Sequence, residues 1–344
     1  MDNNIVISTP PHVKSKKTTK GIMLDVIIAL IPATVMAIVY FRLGAFVLIL
    51  TSVLAAVATE FCYFFIANKG FSEKCKHAGE TCKKWWKQFD YTSIVTGLIL
   101  ALILPPTAQW YQVLIGAIFS IALVKMVFGG TGKNLVNPAA TGRVFMFISF
   151  SITTYAACAI GSVDGGNIFT GATHLSGYLL GGDATAKMGW LDLLLGTGVA
   201  GSIGETCKLA LIIGYIYLVV RKVIKWWQPL LYIIPASFLS VCIAAIGSKS
   251  FEIGLFLDYA MSGGLMFGAI FMATDFVTSP KGVYGQIVYY LALAVLTAAL
   301  RCFTKIEVIS YVILLMNLLV PLIDTYIVRK PFGYRKVKIQ KEGK

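Results

Sequence analysis

Ten apolar segments separated by polar linkers constrain this chain more than any other feature of its sequence. A helix that crosses a bilayer needs about 20 mostly apolar residues. Charged residues make up 13% of the chain, against about 25% in soluble domains, and the mean hydropathy is +0.78. The sequence therefore predicts an all-α polytopic membrane protein with about ten transmembrane helices, at 22–41, 44–66, 93–104, 111–128, 144–161, 205–220, 229–247, 264–274, 287–302 and 308–328.

The basic residues are distributed unevenly between alternate linkers. With a cytoplasmic N-terminus, 24 of the 30 Lys and Arg residues fall on the cytoplasmic side, as the positive-inside rule expects. Both termini are thus predicted to be cytoplasmic and the loop 162–190 extracytoplasmic. The net charge of +14 comes mainly from residues that flank apolar segments and favour anionic lipid headgroups. The lipid bilayer, and no nucleic acid, is the expected partner of these charges.

The third and eighth segments are too short to cross a membrane. Each is the third segment in its half of the chain, if the ten segments are divided into two halves of five. Residues 97–104 also resemble residues 264–271, at an offset of 167. Five spans per half is an odd number, so the halves are predicted to be inverted five-helix repeats with broken third and eighth helices. Chance similarity between two apolar strings is the alternative. The predicted organisation is a cytoplasmic segment (1–20), a first repeat (21–161), an extracytoplasmic loop (162–190), a second repeat (191–328) and a basic cytoplasmic tail (329–344).

Three short patterns resemble cofactor or metal motifs without the context that those motifs need. Residues 196–201 spell the dinucleotide fingerprint, but no strand precedes them, which favours close helix packing by small residues. Residues 129–134 lack the spacing of a phosphate loop. Cys75, His77 and Cys82 are poorly spaced for zinc, and no metal is expected. With three histidines in the chain, no Ser–His–Asp set that would indicate a hydrolase is recognisable.

The tetrad Thr170-Gly171-Ala172-Thr173 lies in the glycine-rich loop. A hydroxyl at its end has the chemistry to attack an activated phosphate, and the small residues beside it leave the backbone accessible. The tetrad resembles the flavinylation motif of the NqrB/RnfD family of respiratory membrane subunits, in which the last Thr carries FMN through a phosphoester. The family usually has Asp six residues before the acceptor, where this chain has Asn167.

Four further stretches resemble the same family and keep its order along the chain: 9–25, 128–139, 201–206 and 271–275. The 20-residue N-terminal segment is shorter than in the NqrB branch, which favours the RnfD branch. The resemblance implies a subunit of an ion-translocating ferredoxin:NAD oxidoreductase (Rnf) in a bacterial inner membrane. It implies electron transfer coupled to Na⁺ or H⁺ transport, with the other Rnf subunits supplying the ferredoxin and NAD sites, so the chain is not expected to act alone.

The resemblance also implies two flavins. A flavin transferase would attach FMN to Thr173 outside the membrane, and a noncovalent riboflavin would bind elsewhere. Asn134 and Asn137 are the candidates for the second site, because an amide both donates to and accepts from an isoalloxazine edge. The alternative for Asn137 is a helix cap before Pro138.

Four carboxylates fall within or at the ends of apolar segments: Asp25, Glu60, Glu205 and Asp275. Ionisable groups inside a membrane are costly and often functional, so an ion path is one interpretation. Structural pairing with Lys125, Lys208 or a helix N-terminus is the other. Asp25 and Glu205 are assigned to the first helix of each half. Lys125 and Arg143 are expected to anchor at the cytoplasmic surface.

Two other functions are consistent with the same fold. One is a cofactor-free channel or transporter for small solutes on an inverted-repeat plan. The other is a quinone-reducing relative of the NqrB type.

Overall fold

The computed structural model of the chain describes residues 18–67, 83, 85–150, 156–157, 169–170, 190–196, 201–248, 255–304 and 308–327. Apart from two short strands, the elements assigned in these ranges are helices. They are α1 (Thr19–Ala67), α2 (Thr92–Leu102), α3 (Trp110–Phe119, continuing as a π-helix over Ser120–Met126), α4 (Pro138–Phe150), β1 (Ala156–Ala157), β2 (Phe169–Thr170), α5 (Trp190–Leu195), α6 (Lys208–Val220), α7 (Trp227–Ser248), α8 (Leu255–Met261), α9 (Leu265–Phe267, continuing as a π-helix over Gly268–Met272), α10 (Val283–Thr304) and α11 (Ile309–Tyr326). The predicted all-α membrane class is confirmed at this level.

In the described part of the chain, three helices are by length and composition long and apolar enough to cross a membrane: Thr19–Ile66, Val283–Phe303 and Ile309–Tyr326. Four shorter apolar helices accompany them: Thr92–Leu102, Trp110–Met126, Lys208–Val220 and Trp227–Ile243. Each of the ten predicted segments overlaps a helix. The boundaries differ by several residues, and the largest difference is at the fifth segment, predicted at 144–161. There the helix runs from Pro138 to Phe150, and residues 156–157 form a strand, so the second part of that predicted span is wrong. Proline at a first helical position is favourable because its missing N–H is not needed there.

Helix α1 contains the first two predicted spans. Its 49 residues would extend over about 74 Å if straight, more than twice the about 30 Å of a bilayer core. The chain breaks at Arg42, which has φ 52° and ψ −134° inside the helix. Helix α1 therefore consists of two helical segments with a one-residue break between them.

The third and eighth segments are short helices, as predicted. Helix α2 has 11 residues, a length of about 16 Å, and Pro105-Pro106 follow closely. Helix α9 and its π-helical continuation end at Met272. Inside the bundle, Gly97 of α2 allows close packing on α1, because a Cβ there would lie 3.0 Å from the Val53 Cα.

Four described elements were not predicted. Strands β1 and β2 pair antiparallel, with Ala156 opposite Thr170. The short helices α5 and α8 lie in linkers that the sequence assigned to loops. Gly196 ends α5 with φ +81°, and a Cβ there would lie 2.1 Å from the Thr206 carbonyl oxygen. This close backbone approach gives the first glycine of the 196–201 pattern a structural role.

Candidate functional site

A cavity between α1, α2, α3, α4, α6 and the α9 region brings together residues from both halves of the chain. Its empty space is about 790 Å³ with the open mouth included, and its interior is about 90 Å³. Ligand pockets usually measure about 300–1,000 Å³. The interior therefore has room for one edge of a ring system, while a larger group would extend into the mouth. The described polar residues that line it are Thr92, Thr96, Lys125, Thr131, Asn134, Asn137, Thr274 and Asp275.

Asn137 lies at the wall of this cavity as a helix cap. Its Oδ1 accepts hydrogen bonds from the backbone N–H of Ala139 at 3.0 Å and of Ala140 at 3.2 Å. Its Nδ2 donates to the Met272 carbonyl oxygen at 3.3 Å. Both ends of the amide are thus used in the fold, which favours the helix-cap interpretation of Asn137 over a flavin ligand.

Asn134 differs from Asn137 in having a free acceptor. Its Oδ1 is buried without a hydrogen-bond partner in the described part of the chain. Such a group is costly unless something satisfies it. It follows three glycines with positive φ, Gly129, Gly130 and Gly132, so the loop that carries Asn134 depends on conformations that other residues rarely adopt. Asn134 is the better of the two amide candidates for a ligand.

Lys125 is buried, so its predicted place at the cytoplasmic surface is wrong. Its side chain is 1% exposed, and its Nζ lies 3.3 Å from Glu60 Oε1. The ammonium also donates to Thr92 Oγ1 at 2.6 Å and to Ser93 Oγ at 2.8 Å, and Ser93 donates to Glu60 Oε2. Glu60 is thus paired with a cation, which is the structural alternative for this carboxylate.

Arg143 is also buried and not a surface anchor, because its side chain is 3% exposed. Its Nη1 lies 3.8 Å from Glu205 Oε1 and donates to Ser310 Oγ at 3.2 Å. Glu205 lies in the turn before α6, not in the helix, which corrects its assignment to the first span of the second half. Lys208 begins α6 and donates to the Gly263 and Glu205 carbonyl oxygens.

Asp25 lies in α1, as predicted, at the edge of the bundle. Its Oδ1 accepts from Arg221 Nε at 3.1 Å and from the Tyr217 hydroxyl at 3.2 Å. The hydrogen bond that Arg221 donates to Asp25 is the main cause that raises the pKa of Arg221, which follows α6. Arg221 is 56% exposed and Asp25 is 11% exposed, so solvent reaches the pair through Arg221. Neither residue lines the cavity.

Asp275 follows the π-helix and lines the cavity. Its Oδ2 accepts a hydrogen bond from Thr278 Oγ1 at 3.1 Å. Asp275 and Lys125 therefore bring opposite charges to the same cavity. Of the four predicted carboxylates, Asp275 lines the cavity directly and Glu60 reaches it through Lys125. Asp25 and Glu205 are held elsewhere by guanidinium groups.

The predicted covalent site is described only at its first residue, Thr170, which pairs with Ala156. Gly171, Ala172 and Thr173 lie outside the described residues, as do Cys75, His77 and Cys82. Sequence reasoning named Lys125 as a possible partner of a carboxylate, which its ion pair with Glu60 confirms, but it did not find the roles of Ser93 and Thr92. The sequence signal for this pair was a lysine within one apolar segment, Lys125, and a glutamate within another, Glu60.

Comparison with known proteins gives consistent similarities over almost the whole chain. Residues 6–333 match the NQR2, RnfD, RnfE family. The chain is 35% identical over 343 residues to the D subunit of the Na(+)-translocating ferredoxin:NAD(+) oxidoreductase complex of Acetobacterium woodii, covering 99% of this chain and 98% of the relative. It is 35% identical over 341 residues to the D subunit of the Proton-translocating ferredoxin:NAD(+) oxidoreductase complex of Clostridium ljungdahlii, covering 97% and 98%.

A second branch is similar over a smaller part. The chain is 34% identical over 241 residues to the B subunit of the Na(+)-translocating NADH-quinone reductase of Chromohalobacter salexigens, covering 68% of this chain and 58% of the relative.

Proposed function

The chain belongs to the NQR2, RnfD, RnfE family, and on this premise we propose that it is the flavin-carrying membrane subunit of an ion-translocating ferredoxin:NAD oxidoreductase complex. The two relatives from ferredoxin:NAD(+) oxidoreductase complexes are matched over 98% of their length. The relative from the quinone reductase is matched over 58%. This difference in coverage favours the Rnf-type function over the quinone-reducing alternative.

The first cofactor in this proposal is FMN, joined to Thr173 by a phosphoester. Support comes from the tetrad 170–173 and from the charge distribution, which predicts an extracytoplasmic position for the loop. A flavin transferase on that side would carry out the attachment. Both termini would be cytoplasmic, in a multi-pass protein of the bacterial inner membrane.

The second cofactor in this proposal is riboflavin, with one edge of its ring system in the cavity. The residues present fit such a group, because the buried Oδ1 of Asn134 lacks a partner in the described structure and Lys125 brings a positive charge to the same wall. Bound riboflavin would supply one-electron chemistry that the protein's own groups lack. The chain would hold and orient the ring and set the charge around it, and Asn137 would keep the start of α4 in place.

The inverted repeat is the architecture that we propose for these sites. Two short helices end inside the bundle, and donors from other segments satisfy their last carbonyl groups. The Leu102 carbonyl accepts from Gly204 N–H at 2.7 Å, and the Met272 carbonyl accepts from Asn137. Irregular backbone at membrane depth needs such internal partners. Interrupted helices in corresponding positions of two inverted repeats usually form the binding site.

The carboxylates divide into two groups in this proposal. Glu60 and Asp275 lie at or beside the cavity and are the candidates for the Na⁺ or H⁺ path. Asp25 and Glu205 are assigned structural roles, because guanidinium groups hold both. The other Rnf subunits would supply the ferredoxin and NAD sites, so this chain alone would not catalyse the overall reaction.

The observation that carries the proposal is the whole-chain similarity to the relatives from ferredoxin:NAD(+) oxidoreductase complexes, and covalent attachment tests it most directly. Membranes that contain the chain, run on a denaturing gel, should show a fluorescent band at its mass, and intact-mass measurement should show one added FMN. Thr173→Ala should lose both signals, whereas Thr173→Ser should keep them because it preserves the hydroxyl. A chain with the bare mass of its amino acids would favour the cofactor-free channel or transporter.

A further inference from the structure

The two side chains of the buried Lys125–Glu60 pair face different surroundings, which a purely structural ion pair does not need. Lys125 is 1% exposed and faces the cavity, whereas Glu60 is 13% exposed. One member of the pair therefore contacts the proposed ring site, and the other is partly exposed at the surface of the bundle. Among the described residues that line the cavity, Lys125 is the one with a basic side chain.

The surroundings of the pair allow an exchange of partners. A lysine ammonium has three N–H donors, and here they are directed to Glu60, Thr92 and Ser93. Ser93 also donates to Glu60, so its hydroxyl connects the two charged groups. If the ammonium turned towards the cavity, Ser93 would still bind the carboxylate, but the negative charge of Glu60 would need another cation.

We propose that the Lys125–Glu60 pair couples electron arrival to cation uptake: Lys125 turns towards negative charge added in the cavity, and Glu60 binds a small monovalent cation in its place. This inference rests on the proposed function, since it needs a flavin ring in the cavity. A charge in a low-dielectric site has to be balanced nearby, because an unpaired buried charge is strongly unfavourable.

The charges balance one to one. One electron, delivered by the donor subunits of the complex, adds one negative charge beside Lys125. One Na⁺ or H⁺ then binds the Glu60 carboxylate, and an O–H bond forms there if the cation is a proton. When the electron leaves, Lys125 returns to Glu60 and the cation is released. The charge of Asp90 also interacts with Lys125, and Asp275 lines the cavity. Neither residue is substituted in the test, so their charges are the same in every variant.

The test uses the purified full-length chain with Thr173→Ala, which leaves the noncovalent flavin as the redox group. Its midpoint potential is measured by dithionite titration of the flavin absorbance, over a range of sodium concentrations and of pH. In this background, three variants are compared: Lys125→Met, Glu60→Gln and the two changes together. Lys133→Met is the matched control, because Lys133 is an exposed lysine on the following loop.

At low sodium and high pH, Lys125→Met should lower the potential and Glu60→Gln should raise it. Each shift should reach about tenfold in the reduction equilibrium constant, or about 59 mV for one electron. Glu60→Gln should also reduce the cation dependence by one cation per electron. The sodium series and the pH series show which cation is bound. Lys133→Met should match the parent in both potential and cation dependence.

Lys125→Met leaves Glu60 without its cation and can prevent folding for that reason. The double variant removes both charges together and avoids this penalty; it should keep a potential near that of the parent but lose the cation dependence. If both single variants shifted the potential in the same direction, this inference would be overturned and the proposed function would stand. A cation dependence that persisted in Glu60→Gln would have the same consequence. A purified chain without noncovalent flavin would overturn the proposed second cofactor as well.

Discussion

The Arg143 guanidinium donates a hydrogen bond to the Ser310 hydroxyl at 3.2 Å, between residues 167 positions apart. The same offset relates residues 97–104 to residues 264–271, the segments that suggest an internal repeat. In a two-fold arrangement, equivalent positions near the axis contact each other. Arg143 lies in α4 and Ser310 in α11, the fifth and tenth predicted spans. A pseudo-two-fold axis between two inverted halves would produce this contact.

Inverted halves place equivalent linkers on opposite sides of the membrane. Gly44 follows the first span of the first half, and Lys222 follows the first span of the second half; both are exposed. In a variant without the seven native cysteines, Gly44→Cys should react with a membrane-impermeant maleimide in intact cells. Lys222→Cys should react only after the membrane is opened. Labelling of both positions from the same side would contradict the inverted repeat.

Gly214 sets the distance between α6 and α1, and so between the two halves. A Cβ at Gly214 would lie 2.4 Å from the Ala29 carbonyl oxygen, which is backbone and cannot rotate away. Gly214→Ala should therefore destabilise the fold by about 1–3 kcal/mol, as overpacking usually does. Thermal unfolding in detergent measures this as a lower midpoint temperature.

Gly44→Ala is the matched control, because no atom lies within 4 Å of the added methyl group. It should leave the midpoint unchanged. Equal midpoints for Gly214→Ala and Gly44→Ala would show that α1 and α6 can move apart without cost.

The sequence predicts the fold well where the signal is local. Blocks of apolar residues identify the helices, and Pro105-Pro106 mark the interruption after α2. The family prediction is confirmed, because its motifs are spread along the chain. The short helices α5 and α8 were not predicted, since they are shorter than any hydropathy window that detects a membrane span. The attachment of FMN to Thr173 stays a prediction.

The site was predicted only in part, because its contacts join distant segments. The helix-cap role of Asn137 can be predicted from its position directly before Pro138. The burial of Lys125 and Arg143 cannot be read in this way. Lys125 lies near the end of one apolar segment and Arg143 just before the start of another. A surface position is the usual expectation there, and Glu60 and Glu205 come from other segments. The partner of a buried charge is decided by helix packing, which periodicity does not encode.

Asp25 and Arg221 form an ion pair with one exposed member, since Arg221 is 56% and Asp25 11% exposed. Exposed pairs contribute about 0–1 kcal/mol, and solvent at the guanidinium screens this one. Asp25→Asn should therefore change the stability of the chain by less than about 1 kcal/mol and leave sodium- or proton-dependent transport by the complex intact. The measurement is sodium or proton transport by the complex in membrane vesicles. Glu60→Gln is the comparison variant and should impair this transport. Loss of transport in Asp25→Asn would return Asp25 to the ion path.

Asn134 and Asn137 should separate flavin binding from stability. Asn137→Ala removes an N-cap, a loss of about 1 kcal/mol, together with the link to Met272. It should lower the unfolding temperature while the folded fraction keeps its noncovalent flavin. Asn134→Ala removes an acceptor that has no partner in the described structure. Because burying such a group is costly, its removal should leave the unfolding temperature unchanged or slightly higher.

The decisive measurement is the noncovalent flavin released on denaturation per folded chain. This ratio should fall in Asn134→Ala, since a hydrogen bond to the ring edge is lost, and stay constant in Asn137→Ala. The reverse result, with flavin lost and stability kept in Asn137→Ala, would assign the ligand role to Asn137. In that case the amide would have to leave its cap to bind the ring, and α4 would begin differently in the loaded protein.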